Sequence, residues 1–480
     1  MEAVETLRPH RLARFMGAAG TGKSTVAIRL PELLGLGERV VFATPSHTAR
    51  RVLEEKARDE GIEIRTATLA SLLWGPPTIA HCPACPPSKR PGDGHCPCLV
   101  LGGDGCPYAG VDGADYCGRQ EHGAAGVGSK PFWRDWDSVI VDESSMVSKK
   151  DFDALMAGRE HLSGRLIFTG DICQLPSVDD GAKGWSALSE PMPEAKLTKI
   201  RRTEPGPIIA GAAHFRRLID PQPGEEPARG GSVAHFREVA FASPAEEGGD
   251  PEKATYVYDF PADQAGANAM LARWGNAMRL YSGHVDGWEE YTVLASTNKH
   301  RMEWNRQVRL AAGRGEAPEE GDVLMAADQI GDITKWSRGV VRDATPGLPG
   351  CNMAPEGRWA KKGAHRACWF VDIEVPGYGD GGAPLLLRDQ HVTWEALNTP
   401  APAKGAAPGW IWGFARTVHT AQGDAFSHVI MHDSEWSPKG EPLAVAKRIY
   451  TAVTRARKSV TIVPSRWDVP TFRPVAPRRG

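Results

Sequence analysis

Nine consecutive residues, GAAGTGKST at 17–25, carry the groups needed to hold a polyphosphate. Gly17, Gly22, Lys23 and Ser24 satisfy the spacing GxxxxGK[ST], and Gly20, Thr21 and Thr25 complete the loop. Glycines let the backbone curl until several N–H groups face one β-phosphate. A helix starting near Gly22 would add its positive N-terminal end. Lys23 would reach the β- and γ-phosphates, and Ser24 would ligate Mg²⁺. A second stretch, SVIVDESSMV at 138–147, supplies carboxylates. Its first four residues read as a short buried strand, which leaves Asp142 at the C-terminal end, where open parallel sheets bind ligands. Asp142 would hold Mg²⁺ through water, and Glu143 would orient and deprotonate an attacking water. Adjacent acids followed by Ser-Ser favour hydrolysis over transfer to a second substrate. A third stretch, RLIFTGDICQLPSV at 165–178, reads as another buried strand ending in polar groups. Gln174 stands where a side-chain amide could sense a γ-phosphate; the other reading is an ordinary turn residue.

Those groups need a frame. The strand before the glycine-rich loop and the helix after it call for an α/β fold. The segment from Ser148 to Asp151 fits a capping box for a further helix. At 480 residues the chain has room for about two to four domains. Its 41% hydrophobic and 24% charged residues are those of an ordinary soluble globular protein. No apolar run approaches the roughly 18 residues of a membrane span, and the opening MEAVETLRPH lacks an apolar signal region, so secretion is not expected. The formal net charge of −2 does not advertise a nucleic-acid binder, although a groove can be basic where the whole is not. There is no internal repeat. Fifteen Trp offer stacking surfaces, but core packing accounts for most of them.

Six of the nine Cys lie between Cys82 and Cys117, and Cys173, Cys351 and Cys368 are scattered. A tight cluster reads as metal ligation before disulfides. Cys82 and Cys85 form a C-x₂-C pair, followed by Cys96, Cys98, Cys106 and Cys117, with His81, His95 and His122 nearby. Such a pair is the usual half of a tetrahedral Zn²⁺ site. The segment has little apolar content, so metal would supply its stability. One four-Cys site with spares, or two sites, fits the count; a metal-free loop, redox thiols or an iron–sulfur cluster are the alternatives. Four protein ligands would make the zinc structural.

The order of segments resembles the superfamily 1 helicases. It runs GAAGTGKST, ATPSHTAR (43–50), TLASLL (68–73), VDESSMV (141–147) and GDICQLPSV (170–178). LTKIRRT (197–203), VLASTNKHRMEWNRQVR (293–309), ARTVHTAQGDAFSHVIM (415–431) and IYTAVTRARKSVTIV (449–463) continue it. The form GD-x-x-QLPSV is similar to the 5′→3′ subgroup of RecD and Dda. The resemblance implies two RecA-like motor domains, 1A (1–77 and 128–196) and 2A (197–310 and 406–480). It also implies a zinc-bearing wedge, 1B (78–127), and a small SH3-like β-barrel, 2B (311–405); the sequence of that last stretch shows only strand-like alternation with Gly/Pro turns.

On this resemblance Arg202 and Arg455 would be arginine fingers on the γ-phosphate, although Arg202 also reads as a surface Arg and Arg455 as a helix-end cation. Gln422 and Gly423 would link the ATP site to DNA. His419 would contact a DNA phosphate or be a packing His. Thr44, Pro45, His47, Thr68 and Ser71 would position DNA phosphates, and Trp74 and Trp412 are stacking candidates that also fit a core. The implied activity is an ATP-driven, Mg²⁺-dependent, 5′→3′ DNA helicase acting as a monomer on single-stranded and on forked or tailed duplex DNA. It would work in a bacterial or phage-infected cytoplasm, alongside replication or recombination proteins. A translocase without unwinding, or an ATP-gated loader or scaffold, are the alternatives. The family's adenine-reading Gln upstream of the loop has no counterpart, since none of the 16 residues before Gly17 is Gln, so nucleotide choice stays open. The segment 220–265 reads as loop-rich without a function.

Overall fold

The computed structural model describes residues 2–74, 78–79, 120–121, 135–177, 185–198, 206–221, 224, 233–242, 256–259, 291–327, 330, 333, 335–347, 368–379, 383–398, 409–432 and 442–463. The chain divides into two compact units. One comprises Met1–Pro77, His122–Asp259 and Val418–Ser465; the other comprises Thr78–Glu121, Phe260–Thr417 and Arg466–Gly480.

The strands begin with β1 (Leu12–Gly17), β2 (Val40–Thr44) and β3 (Thr66–Thr68). The short β4 (Thr78–Ile79) and β5 (Gln120–Glu121) pair with each other in the second unit. Then come β6 (Ser138–Val141), β7 (Leu166–Gly170), β8 (Glu194–Leu197) and β9 (Tyr256–Asp259). In the first unit six strands form one sheet in the order β3-β2-β6-β7-β1-β8, and every pairing is parallel. The runs VVFAT, SVIV and LIFTG are buried throughout, as expected of central parallel strands covered on both faces. Period-two alternation splits the core. Val139, Val141 and Phe168 pack toward Leu69, Leu72, Phe152 and Leu155. Ile140, Ile167 and Phe15 pack toward Ala27, Leu30 and Leu53 on the other face. The helix Lys149–Gly158 starts where the capping box places it, with the Ser148 side chain accepting from the Asp151 N–H.

The second unit holds β10 (Tyr291–Ala295), β11 (Val323–Ala326), β12 (Arg338–Pro346), β13 (Cys368–Val375), β14 (Leu385–Thr393), β15 (Trp410–Trp412) and β16 (Ala415–Thr417). Five of them make an antiparallel sheet, β14-β13-β12-β11-β15. Its strands alternate between buried and open positions, most clearly along β13, and one face packs on Leu324, Ile373, Trp369 and Trp410. The strand-rich reading of 311–405 therefore holds; no pairing among the described residues joins β14 to β15 into a barrel. β10 and β16 run parallel, and the helix Asn298–Ala311 is tied to them by Asn305. Its Oδ1 accepts from the Ala415 N–H at 2.8 Å and its Nδ2 donates to the Ala415 carbonyl at 3.0 Å.

The last strands, β17 (Phe426–His432) and β18 (Ala456–Val463), return to the first unit. They pair in parallel, β18 pairs in parallel with β9, and the helix Pro442–Val453 connects β17 to β18. The first unit thus holds the six-stranded parallel α/β sheet and the parallel strands β9, β18 and β17, and the second holds the parallel pair β10 and β16 beside its antiparallel sheet. Within the stretch 220–265, read as loop, Val233–Ala242 is helical and β9 is a strand. The helix is fixed by packing: a Cβ on Gly211 would lie 2.2 Å from the Phe236 ring, so only glycine lets the two helices approach. Tertiary contact of this kind overrides weak local propensity.

Candidate active site

The C-terminal ends of β1, β6 and β7 bring the three polar segments together. Gly22 has φ 83° and lies just before the helix Lys23–Ala27. This left-handed turn is open to glycine without steric cost. The loop is tightly curled: a Cβ on Gly17 would stand 2.6 Å from Thr21 Oγ1. Lys23 Nζ donates to the Ala18 carbonyl at 3.0 Å, so the lysine folds back over the loop. Burial lowers its pKa, opposed by the charges of Asp171, Glu143 and Asp142.

Asp142 follows β6 directly, is buried, and accepts a hydrogen bond from Thr169 Oγ1 on β7. Glu143 has φ 50°, a conformation that costs a non-glycine residue roughly 1–3 kcal/mol and collects at functional sites. Neighbouring bonds hold it there: its carbonyl accepts from Met146 N–H at 3.0 Å, and Ser144 Oγ donates to the Val141 carbonyl at 2.7 Å. Gly170 makes room for this turn, since a Cβ there would lie 2.9 Å from Leu188 Cδ1 and 3.2 Å from the Ser144 nitrogen. Burial and the adjacent Asp142 raise the Glu143 pKa, while Arg455, Lys23 and Lys56 pull it down. Its Oε2 is buried and has no hydrogen-bond partner; the same is true of Gln174 Oε1 and Gln422 Oε1. Buried polar atoms are otherwise almost always paired, so this carboxylate and these two amides fit a polar ligand.

The loop after β7 is stitched to the C-terminal part of the same unit. Leu175 N–H donates to Thr451 Oγ1 at 3.0 Å, and Gln422 Nε2 donates to the Leu175 carbonyl at 3.2 Å. Arg455 is buried; its Nε donates to the Thr451 carbonyl at 3.2 Å and its Nη1 to the Asp424 carbonyl at 3.1 Å. It is therefore bonded as a helix-end cation, and it is also the cation acting most strongly on Glu143. Gly423 takes φ 92° to turn the chain between Gln422 and Asp424.

The expected DNA contacts are placed less favourably. Thr44 is fully buried and its hydroxyl donates inward to the Ser46 carbonyl at 2.9 Å. Thr68 is buried and caps the helix Leu69–Trp74 by accepting from the Ser71 N–H at 3.1 Å and pairing with Ser71 Oγ at 2.8 Å. Pro45 and His47 are half-buried. Burial, helped by Arg448, lowers His419 to about 4, so it offers a neutral ring and no cation to a phosphate. Trp412 belongs to the core of the second unit, with the Arg309 guanidinium 3.8 Å above its ring. Arg202, the Trp74 side chain and Cys82, Cys85, Cys96, Cys98, Cys106 and Cys117 lie outside the described residues. Among the described residues no group of three or more His, Cys, Asp and Glu could hold a metal ion.

Comparisons with known proteins agree with the motif order. A family model described as an AAA domain matches residues 1–218, and one described as a UvrD-like helicase C-terminal domain matches residues 413–463. Together with the P-loop at residues 17–25, these two domains support an ATP-driven DNA helicase of superfamily 1. No curated protein matches its sequence. Among solved structures it is similar to the Pif1 helicase from Candida albicans, at 13% identity and a TM-score of 0.47, over 98% of this chain and 93% of that one. The Pif1 helicase from Bacteroides with ADP-AlF3 and single-stranded DNA is 14% identical with a TM-score of 0.45, over 96% and 92% of the two chains. At such values the two family models and the ordered motifs carry the assignment.

Three residues of this candidate site are given no role by the motif reading: Asp171, Arg216 and Tyr450. Asp171 is fully buried. It accepts from Arg216 Nη1 at 2.8 Å, the Tyr450 hydroxyl at 2.7 Å and the Cys173 N–H at 3.2 Å. Burial opposes its ionisation, yet Lys23, Arg216 and Tyr450 hold its pKa below the ordinary value. Asp171 is the Asp of the quoted GD-x-x-QLP segment, three residues before Gln174, and Tyr450 lies inside the segment of Arg455. Arg216 lies in an amphipathic helix with no motif to mark it.

Proposed function

We propose that the chain is a 5′→3′ DNA helicase whose stepping is coupled to ATP hydrolysis at the ends of β1, β6 and β7. The observation that carries this reading is the convergence in one unit of buried Asp142, Gln174 and Arg455 with half-buried Lys23 and Glu143, with Glu143 Oε2 and Gln174 Oε1 lacking protein partners. Gly17, Gly20, Thr21, Gly22, Ser24 and Thr25 cradle the phosphates with Lys23. Ser24 and Asp142 hold Mg²⁺, which neutralises charge developing on the phosphates. Glu143 takes the proton of the attacking water, and its raised pKa makes it a stronger base than a free carboxylate. Gln174 senses the γ-phosphate, Arg455 with Arg202 stabilises the transferring group, and Gln422 with Gly423 relays the change toward DNA. His47, Ser71 and His419 touch the DNA backbone as neutral donors and Pro45 packs beside it; Thr44 and Thr68 support that track from within.

The arrangement of domains follows the same reading: 1A at 1–77 and 128–196, 1B at 78–127, 2A at 197–310 and 406–480, and an SH3-like 2B at 311–405. The antiparallel order β14-β13-β12-β11-β15 supports the last of these. Structural Zn²⁺ in 1B is supported by the spacing of its six cysteines; metal analysis of chelator-free protein should find about one or two zinc per chain, and none would remove it.

Strand displacement on matched duplexes with a 5′ or a 3′ single-stranded tail, beside Lys23→Ala, tests the function. Unwinding from the 5′ tail alone, lost in Lys23→Ala, is the expected result. Unwinding from the 3′ tail alone overturns the direction, and DNA-stimulated hydrolysis without opening of either duplex overturns unwinding.

A further inference from the structure

We infer that Tyr450 is a positioning residue for hydrolysis, whose hydroxyl couples the phosphate-holding loop and Asp171 to the helix that delivers Arg455. This deepens the function proposed above and rests on it.

A tyrosine hydroxyl has one proton to give and lone pairs to receive with. Here all of that capacity is used. Tyr450 donates to Asp171 Oδ2 at 2.7 Å, and its oxygen accepts from the Ala19 N–H at 3.3 Å and from Arg216 Nη1 at 3.4 Å. Arg216 closes the set through Asp171 Oδ1 at 2.8 Å. Tyr450 is 2% exposed and Asp171 0%, so solvent does not compete. Burial, then Asp171, push the phenol well above its ordinary pKa, so it stays a neutral donor.

The partner that matters most is Ala19. It belongs to GAAGTGKST, whose backbone N–H groups form the phosphate cradle. One of those N–H groups is thus bonded to a side chain from the helix Pro442–Val453. The residue after Tyr450 binds the neighbouring loop, through Thr451 Oγ1 and Leu175 N–H. Five positions after Tyr450, Arg455 is tied back to the same helix by its bond to the Thr451 carbonyl. A phosphate entering the cradle competes for the Ala19 N–H. The hydroxyl must then release it or move with it, and the helix carrying Arg455 responds. Asp171 and Arg216 keep the phenol in register throughout.

The test is steady-state ATP turnover by the full chain at saturating single-stranded DNA, for wild type, Tyr450→Phe, Arg455→Ala, the double variant and Lys23→Ala, with thermal melting of each. Tyr450→Phe should lower kcat about tenfold, the scale of one lost interaction, with KM for ATP within about twofold and melting little changed. In the Arg455→Ala background the same substitution should change kcat less than about twofold, because its effect acts through Arg455. Three outcomes overturn the role: an unchanged kcat, losses that multiply in the double variant, or a kcat loss matched by equal losses in KM and melting. A wild type with no turnover that Lys23→Ala removes would instead defeat the functional reading itself.

Discussion

Each unit buries an aspartate between basic side chains, and the two sites differ in how fully they are paired. In the second unit Asp322 is 0% exposed and accepts from Arg309 Nη2 at 2.8 Å, Arg314 Nη1 at 2.7 Å and the Glu319 N–H at 2.8 Å. Arg309 spends its remaining donors on the Gly315 and Ala317 carbonyls and stacks on Trp412. In the first unit Asp171 is just as buried and as well paired. Around it, however, Glu143 Oε2, Gln174 Oε1 and Gln422 Oε1 have no partner. Leaving a buried polar group unpaired costs about 1–3 kcal/mol. The Asp322 site avoids that cost and holds a fold together. The Asp171 site carries it several times over, which is expected where a charged ligand completes the bonding.

The comparison can be broken in three ways, the largest effect first. Glu143→Gln should bind nucleotide and lose about 10²–10⁴ in turnover, the usual contribution of a general base; a fluorescent-nucleotide titration beside an ATPase assay checks both, and full turnover would make Glu143 as structural as Asp322. Asp322→Ala should destabilise the protein by about 3–5 kcal/mol, because it strands two buried guanidinium groups, measured by chemical denaturation; a loss below about 1 kcal/mol would mean the cluster is dispensable. The smallest effect concerns pH. Glu143 has a folded pKa raised above its ordinary 4.5, so the folded state binds its proton more tightly than the unfolded state does. Stability is then lost as pH rises from that ordinary value through the raised one. Nucleotide-free Glu143→Gln should therefore melt at a higher temperature than wild type at neutral pH, and the margin should close as pH falls below the ordinary 4.5. A margin that is constant with pH would assign the effect to something other than this carboxyl.

How much was legible varies by segment. The strands SVIV and LIFTG and the capped helix after Ser148 follow from local pattern, because apolar runs and caps act over a few residues. The helix Val233–Ala242 was not legible, since Phe236 is fixed by its fit against Gly211 in a distant helix. Thr44 reads as a DNA contact and Trp412 as either a stacking surface or a core residue, and both are buried. Residue type says what a side chain could touch; only the neighbours decide whether it faces outward.

The sequence by itself marked the groups on which the proposed chemistry rests: a phosphate loop with Lys23 and Ser24, the acids Asp142 and Glu143, and the motif order of a motor. Those signals are short and contiguous, so they survive without coordinates. Tertiary structure decided the company these residues keep. Ala19, Asp171, Arg216 and Tyr450 span more than 400 positions (|i−j| is 431 for the Ala19–Tyr450 bond), and no local pattern marks their meeting. Folding alone brings one hydroxyl within reach of all three, because the parallel sheet gathers the loops of Ala19 and Asp171 at its strand ends and the helices Pro207–Ile219 and Pro442–Val453, packed on each other, carry Arg216 and Tyr450 to them.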